Sequence, residues 1–303
     1  MTNAIHLVAN PALRIMIVGY PGTAKTGSLA SLLNAGFKVR LIDFDGNPDP
    51  LFQFVAKDKL ANLDIAYFED RMRVGAQFSE PVGIPSAFAD ALKQLDDWKT
   101  TDADGKEVSL GKSSDWGPDT VVALDSLTKM GDAAFRRAMK LLSKTPMNIT
   151  DRVWGLAMQE QAAFIERLTS ARNKHHVIVL AHLKIIAPQD VRQGDTQLTT
   201  NIKEALSELV PTRLYPSALG RVLPQQIGAE FPVMLEAERV TKAGKTVRTL
   251  RLAPKELVDI KFPANISETN LPIEDGLLRV FQALSPGSVE LVQKQREGAK
   301  ANA

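Results

Sequence analysis

The sequence predicts an α/β fold, a mostly parallel sheet with helices on both faces, and three observations predict it. Five short apolar runs, at residues 15–18, 39–42, 65–68, 121–124 and 177–180, recur with helical-looking segments between them. That alternation builds a parallel sheet covered on two sides. The first run opens into a glycine-punctuated loop, IMIVGYPGTAKT, which leads straight into the helical stretch GSLASLLNAG. Three later runs end in an acid or a histidine, so polar groups gather at the carboxyl edge of the sheet, where ligands of such folds bind.

In chain order, the loop after the first strand carries the chemistry. Polyphosphate needs inward-pointing backbone amides, a cation, and a hydroxyl to hold magnesium. Gly19, Gly22, Lys25 and Thr26 have the spacing that supplies them, and Tyr20, Pro21, Thr23, Ala24 and Gly27 complete the stretch. The usual pattern is G-x-x-x-x-G-K-[ST]; here Ala24 stands at the sixth position. An ordinary Gly/Pro turn is the plainer reading, set aside because a buried-strand pattern precedes the loop and a helical one follows. ATP and Mg2+ are the ligands expected.

The second strand ends in VRLIDFDGNPDP, with Asp43 at its end and Asp45 just beyond. An acid there can orient and deprotonate an attacking water. Asp, Gly, Asn and Pro are also turn formers, so a structural turn competes for each residue, and Glu69 after the third strand is a rival base. Residues 99–118 are polar and read as a surface insertion with a small hairpin. The fourth strand ends VVALDS, and Asp125 can hold a magnesium-bound water opposite Thr26; a strand-end Asp capping the next helix is the alternative. Residues 144–150 read as a loop. The fifth strand, in HHVIVLAHLK, delivers His182 beside the phosphate loop, where it can hydrogen-bond a γ-phosphate. His175 and His176 read as turn residues before that strand. Four His and no Cys give no ligand set for a histidine metal site.

Farther on, residues 186–217 carry few strong apolar signals, and residues 232–240 and 246–252 flank Ala243-Gly244 as a hairpin. A short helix is expected over 273–284, with a frayed tail from Ser285 onward. The expected organisation is a nucleotide-binding domain over residues 10–262 with a C-terminal extension over 263–303.

Composition bounds the rest. The net charge of +2, from 37 Lys plus Arg against 35 Asp plus Glu, does not by itself advertise a polyanionic partner, so any nucleic-acid contact must come from a local patch. The absence of cysteine excludes disulfides and thiolate metal sites. No apolar run reaches the roughly 18 to 20 residues of a membrane span, and the first residues lack a signal-peptide pattern. A soluble, intracellular protein is expected.

The order and spacing of these motifs resemble the bacterial RecA recombinase core, and more closely the smaller RecA-like ATPases encoded by phages, some of which anneal single strands. The similarity runs from Leu13 to Phe262. It implies a RecA-like P-loop NTPase core in which Asp45 takes the place of the family's catalytic glutamate. Asp43, Asp49 and Pro50 complete the strand-end pattern, Asp125 and Ser126 match its Asp-Ser, and His182 replaces its sensor glutamine. It further implies two loops touching single-stranded DNA, at 143–152 and 186–217, self-assembly into a ring or filament, and a host-cell cytoplasmic location if phage-encoded. A neighbour's cation commonly completes such a site; Lys184, Arg251, Lys255 and Lys261 are the candidates.

Local charge fits a DNA role. Arg136, Lys140 and Lys144 are spaced by four and can line one helix face with Arg152 nearby, although such runs are as often a solvated face. The second loop offers Lys184, Arg192, Lys203 and Arg213, with Tyr215 for stacking. The leading expectation is therefore an ATPase acting on single-stranded DNA in recombination or annealing. Its rival is a nucleotide-gated interaction or packaging accessory protein with no DNA preference. A partition-type ATPase is disfavoured because Tyr20 stands where that group has a signature lysine.

Overall fold

The structure, a computed structural model, describes residues 11–75, 79–102, 104–186, 213–242, 244–254, 257–264 and 266–301. Its centre is an eight-stranded sheet. Five of the strands are those expected from the apolar runs: β1 (Arg14–Val18), β2 (Lys38–Asp43), β3 (Leu63–Tyr67), β8 (Thr120–Asp125) and β9 (His176–Ala181). Small antiparallel hairpins lie between them: β4 (Met72–Val74) with β5 (Ser79–Pro81), and β6 (Lys99–Thr101) with β7 (Glu107–Ser109), the latter inside the polar insertion. A third hairpin pairs β10 (Leu183–Ile186) with β11 (Arg213–Pro216). The sheet is completed by β12 (Val233–Lys242), β13 (Lys245–Arg251) and β14 (Asn270–Pro272).

The strand order is β14-β13-β12-β1-β9-β8-β2-β3. From β12 to β3 every neighbouring pair is parallel, and β13 and β14 add antiparallel strands at one edge. The loop-bearing strand β1 is thus separated from the Asp125 strand β8 by the His182 strand β9. A mostly parallel sheet with helices on both faces is the fold class that the sequence led us to expect.

Among the described residues the helices are α1 (Lys25–Ser28), α2 (Ala30–Ala35), α3 (Asp49–Phe52), α4 (Ala87–Asp96), α5 (Leu127–Leu141), α6 (Asp151–Thr169), α7 (Leu223–Gln226), α8 (Gly276–Leu284) and α9 (Pro286–Ala301). Successive residues of β1 serve opposite faces. Ile15 and Ile17 pack with Leu32, Leu33 and Phe281, while Met16 and Val18 pack with Phe88, Met130 and Phe164. Burial on both faces explains why the central strands read as continuous apolar runs; all six residues of β8 and of β9 are buried. Each fully buried Val, Ile or Leu contributes about 1.5 to 3 kcal/mol.

The structure differs from the sequence reading in three places away from the site. The tail from Ser285 is not frayed: α9 continues the chain, with Val289 and Val292 buried in the core that packs on the Ile15 and Ile17 face of β1. Its apolar residues are too sparse to announce a helix, and the packing surface they meet is formed some 250 residues earlier. The segment after residue 262 also supplies β14 and α8 to the same core rather than standing apart from it. Finally, His175 and His176 are buried, not turn residues. The His176 imidazole accepts the Leu13 amide at Nδ1 (3.0 Å) and lies 2.9 Å from the Pro118 carbonyl at Nε2, which fixes the proton on Nε2. Burial pushes His176 down to about 4.

Candidate functional site

The phosphate-type loop is held by its own backbone requirements. Gly19 donates its amide to the Ala181 carbonyl (3.2 Å), and a Cβ there would lie 2.6 Å from the Ala237 carbonyl oxygen, so only glycine fits between β9 and β12. Gly22 has φ of 77°. The Thr23 hydroxyl donates to the Tyr20 carbonyl (2.8 Å) and tightens the turn. Gly27 faces the Phe54 ring, which a Cβ would meet at 2.9 Å.

Ala24 explains why the pattern has glycine at its place. Its φ of 65° and ψ of 37° are left-handed, a conformation that costs an L-residue roughly 1 to 2 kcal/mol. Ala24→Gly is therefore expected to raise stability, and with it the denaturation midpoint, by up to about 1 kcal/mol, the relief of roughly 1 to 2 kcal/mol of strain less the roughly 0.5 to 1 kcal/mol of entropy that glycine loses on folding. A midpoint lowered by the same amount in urea unfolding would mean that the loop is not under this strain.

Lys25 is buried at the floor of the loop. Its ammonium donates to the carbonyls of Gly19 (2.9 Å) and Tyr20 (3.1 Å) and lies 3.4 Å from Nδ1 of His182. Burial pushes Lys25 down to about 8, against the pull of Asp125 and Asp45. The Thr26 hydroxyl donates to Asp125 Oδ2 at 2.5 Å. Burial pushes Asp125 up to about 7, against the Thr26 hydrogen bond, and the neighbouring Asp45 and Asp43 add to the rise. One hydroxyl and one carboxylate fit a magnesium ion, which takes its other oxygens from phosphates and water. Among the described residues no group of three or more His, Asp or Glu is placed to hold a metal by itself.

The structure separates the two acids after β2. Asp43 is only 2% exposed, and its Oδ1 accepts the amides of Asp45 and Gly46 (2.8 Å each), so it builds the turn. Asp45 faces the site. Its Oδ1 accepts the Ser126 hydroxyl (2.8 Å) and its Oδ2 lies 3.9 Å from His182 Nε2. Burial alone would raise Asp45, but the hydrogen bonds from His182 and Ser126 and the nearby Lys129 charge hold it below the usual carboxylate range. Glu69 is exposed and lines a neighbouring hollow, not the cleft of the phosphate loop. The amide of His182 donates to Thr128 Oγ1 (3.3 Å), which ties β9 to the start of α5.

Lys25, Thr26, Asp45, Asp125 and His182 therefore line one cleft of about 320 Å³ together with Pro50, Gln53, Phe54 and Arg248. The arrangement offers a cation for phosphate, two oxygens for magnesium, and an ionised carboxylate beside a histidine for the reacting water. Sequence reasoning missed Arg248, which has no local motif, and Thr128, the second hydroxyl of the run Ser126-Leu127-Thr128 that follows Asp125.

Three of the four candidates for a cation from a neighbour have a partner within the chain. Arg251 pairs with Glu238 (2.6 Å), Lys261 donates to the Gly228 carbonyl (2.8 Å), and Lys184 lies 3.3 Å from that of Gly220; Lys255 is outside the described residues. The expected basic helix face is broken too. Arg136 is paired with the buried Asp70 (2.9 Å), Arg137 with Glu160, and α5 ends at Leu141 before Lys144. Lys140, Lys144 and Arg152 make no ion pair among the described residues. Beside them Met147 is 72% and Trp154 39% exposed, with the Trp154 ring tilted against Phe135 at 4.3 Å between centroids. Of the second loop only the flanking β10–β11 hairpin is described, and Arg192 and Lys203 lie outside the described residues. No helix among the described residues is long and apolar enough to cross a membrane.

A family model described as an AAA domain matches residues 12–214. No curated protein matches the sequence. Among solved structures, the chain is similar to the RadB recombinase at 18% identity, covering 82% of this chain and 86% of that one, with a TM-score of 0.39. It is also similar to the flagellar accessory protein FlaH from Methanocaldococcus jannaschii, at 11% identity, 88% and 89% coverage and a TM-score of 0.34. A third is the KaiC-like protein PH0186 from Pyrococcus horikoshii OT3, at 9% identity, 87% coverage of each chain and a TM-score of 0.37.

Proposed function

This chain belongs to the AAA domain family, and on that premise we propose that it binds ATP with magnesium, hydrolyses it, and couples the cycle to single-stranded DNA. The observation that carries the nucleotide part is the convergence of Lys25, Thr26, Asp45, Asp125 and His182, drawn from four strands and loops, on one cleft. Lys25 holds the phosphates and His182 senses the terminal one. Thr26 and Asp125 would hold the magnesium, which would supply charge neutralisation for the phosphates. Asp45 accepts a proton from, and orients, the attacking water.

The DNA part is supported by Lys140, Lys144 and Arg152, which make no ion pair among the described residues, beside the exposed Trp154, since single-strand sites combine cations for the backbone with aromatic side chains for the bases. The phage-type annealing or strand-exchange role and assembly into a ring or filament are parts of the same proposal, supported by the sequence resemblance.

Gel-shift titration with mixed-sequence single strands, with and without ATP and magnesium, tests it. Affinity should depend weakly on sequence and fall steeply between about 50 and 200 mM salt. Charge reversal at Lys144 and Arg152 should weaken binding while ATP turnover without DNA is kept. No binding at low salt would overturn the DNA part and favour a nucleotide-gated interaction protein.

A further inference from the structure

The β12–β13 hairpin reaches the mouth of the cleft with two arginines aimed at the same turn of the phosphate loop. Arg248 lines the cleft, and its Nε donates to the Gly22 carbonyl at 3.3 Å. Arg239 is its direct partner across the hairpin, so the two side chains stand on one side of it. A guanidinium nitrogen of Arg239 lies 3.3 Å from where a Cβ on Gly22 would be. No carboxylate pairs with either arginine among the described residues, whereas Arg251, three residues on, is held by Glu236 and Glu238.

Like charges directly opposite each other on adjacent strands are destabilising. Here they converge on a loop that already carries Lys25, so the natural counterpart is an anion between them. With Nε committed to Gly22, the other two nitrogens of Arg248 remain as a planar fork that matches phosphate oxygens. The crown of a loop of this kind wraps a phosphate chain rather than a base. We propose that Arg248, with Arg239 beside it, binds the phosphate chain of the nucleotide held in the cleft of the same chain. This rests on the nucleotide reading above and extends it: the hairpin supplies in cis a cation of the kind that the sequence resemblance assigns to a neighbour. Nucleotide retention then does not wait for assembly.

The test measures ATP affinity with magnesium by calorimetry on the full chain and on Arg248→Ala, Arg248→Gln, Arg239→Ala and Lys25→Ala. Gln places an amide nitrogen where Arg has Nε, so Arg248→Gln keeps a donor for the Gly22 carbonyl but loses the charge. Arg248→Ala is expected to weaken ATP binding by about ten- to a hundredfold, the range for a hydrogen bond to a charged group. Arg248→Gln should match it, and Arg239→Ala should show a smaller loss in the same direction. ATP affinity within twofold of the unaltered chain in Arg248→Ala would overturn the proposal, as would full affinity in Arg248→Gln, which would reduce Arg248 to a clasp on the loop. If Lys25→Ala abolishes binding while the arginine variants bind normally, the nucleotide reading stands and only this inference falls. An unaltered chain that binds no ATP would remove both. Mixing Arg248→Ala with Lys25→Ala subunits should give no recovered turnover; recovery would show the arginine acting on a neighbour's site and overturn its action in cis.

Discussion

Lys25→Ala is expected to bind ATP at least about a hundredfold more weakly than the unaltered chain and to show no turnover above background. Among the described residues its ammonium is the one cation at the floor of the cleft, 2.9 Å from the Gly19 carbonyl and 3.4 Å from His182 Nδ1. Arg248 approaches from the rim and cannot take its place. The fold should not suffer. Lys25 is a buried cation pushed down to about 8 by its burial, so removing it relieves a desolvation cost at the same time as it removes two hydrogen bonds. An unchanged or slightly raised melting temperature together with lost affinity would separate function from folding. Calorimetry showing unchanged affinity would withdraw the phosphate-loop assignment.

Asp45→Asn is expected to leave ATP binding close to normal and slow hydrolysis by about two to four orders of magnitude, the range of a positioned acid or base. The amide keeps an acceptor for the Ser126 hydroxyl, so the turn built by Asp43 survives while the negative charge facing His182 is lost. Steady-state phosphate release measured beside equilibrium binding distinguishes the two effects. Glu69→Gln, at an exposed position outside the cleft, should leave turnover near that of the unaltered chain. If Glu69→Gln is the slow variant and Asp45→Asn is not, the base has been misplaced.

The choice between these acids illustrates how far the chain could be read from its letters. Asp43, Asp45 and Glu69 all stand at or just past strand ends, and nothing local ranks them. Their roles part only because Asp43 turns back to accept two amides of its own loop, and because Ser126, 81 residues away, meets Asp45. The basic run on α5 misled in the opposite sense. A spacing of four does place residues on one helix face, but Arg136 is consumed by Asp70, 66 residues earlier, and the helix stops before Lys144. Periodicity records which face a residue occupies, not who sits across from it.

The sequence by itself determined the parts of this protein whose constraints are local. A doubly covered strand must be apolar at every position, and β1, β8 and β9 were visible for that reason. A backbone that turns left-handed at Gly22 and passes between two strands at Gly19 must use glycine, and the loop was visible for that reason. Even Ala24, the one departure from the pattern, marked the position whose φ of 65° is the strained one. What only the tertiary structure decided depends on contacts between distant segments: which acid faces the cleft, that the tail from Ser285 is a packed helix, and that Arg248 reaches Gly22 across 226 residues. Such contacts are set by strand order and register, and no stretch of neighbouring residues carries them.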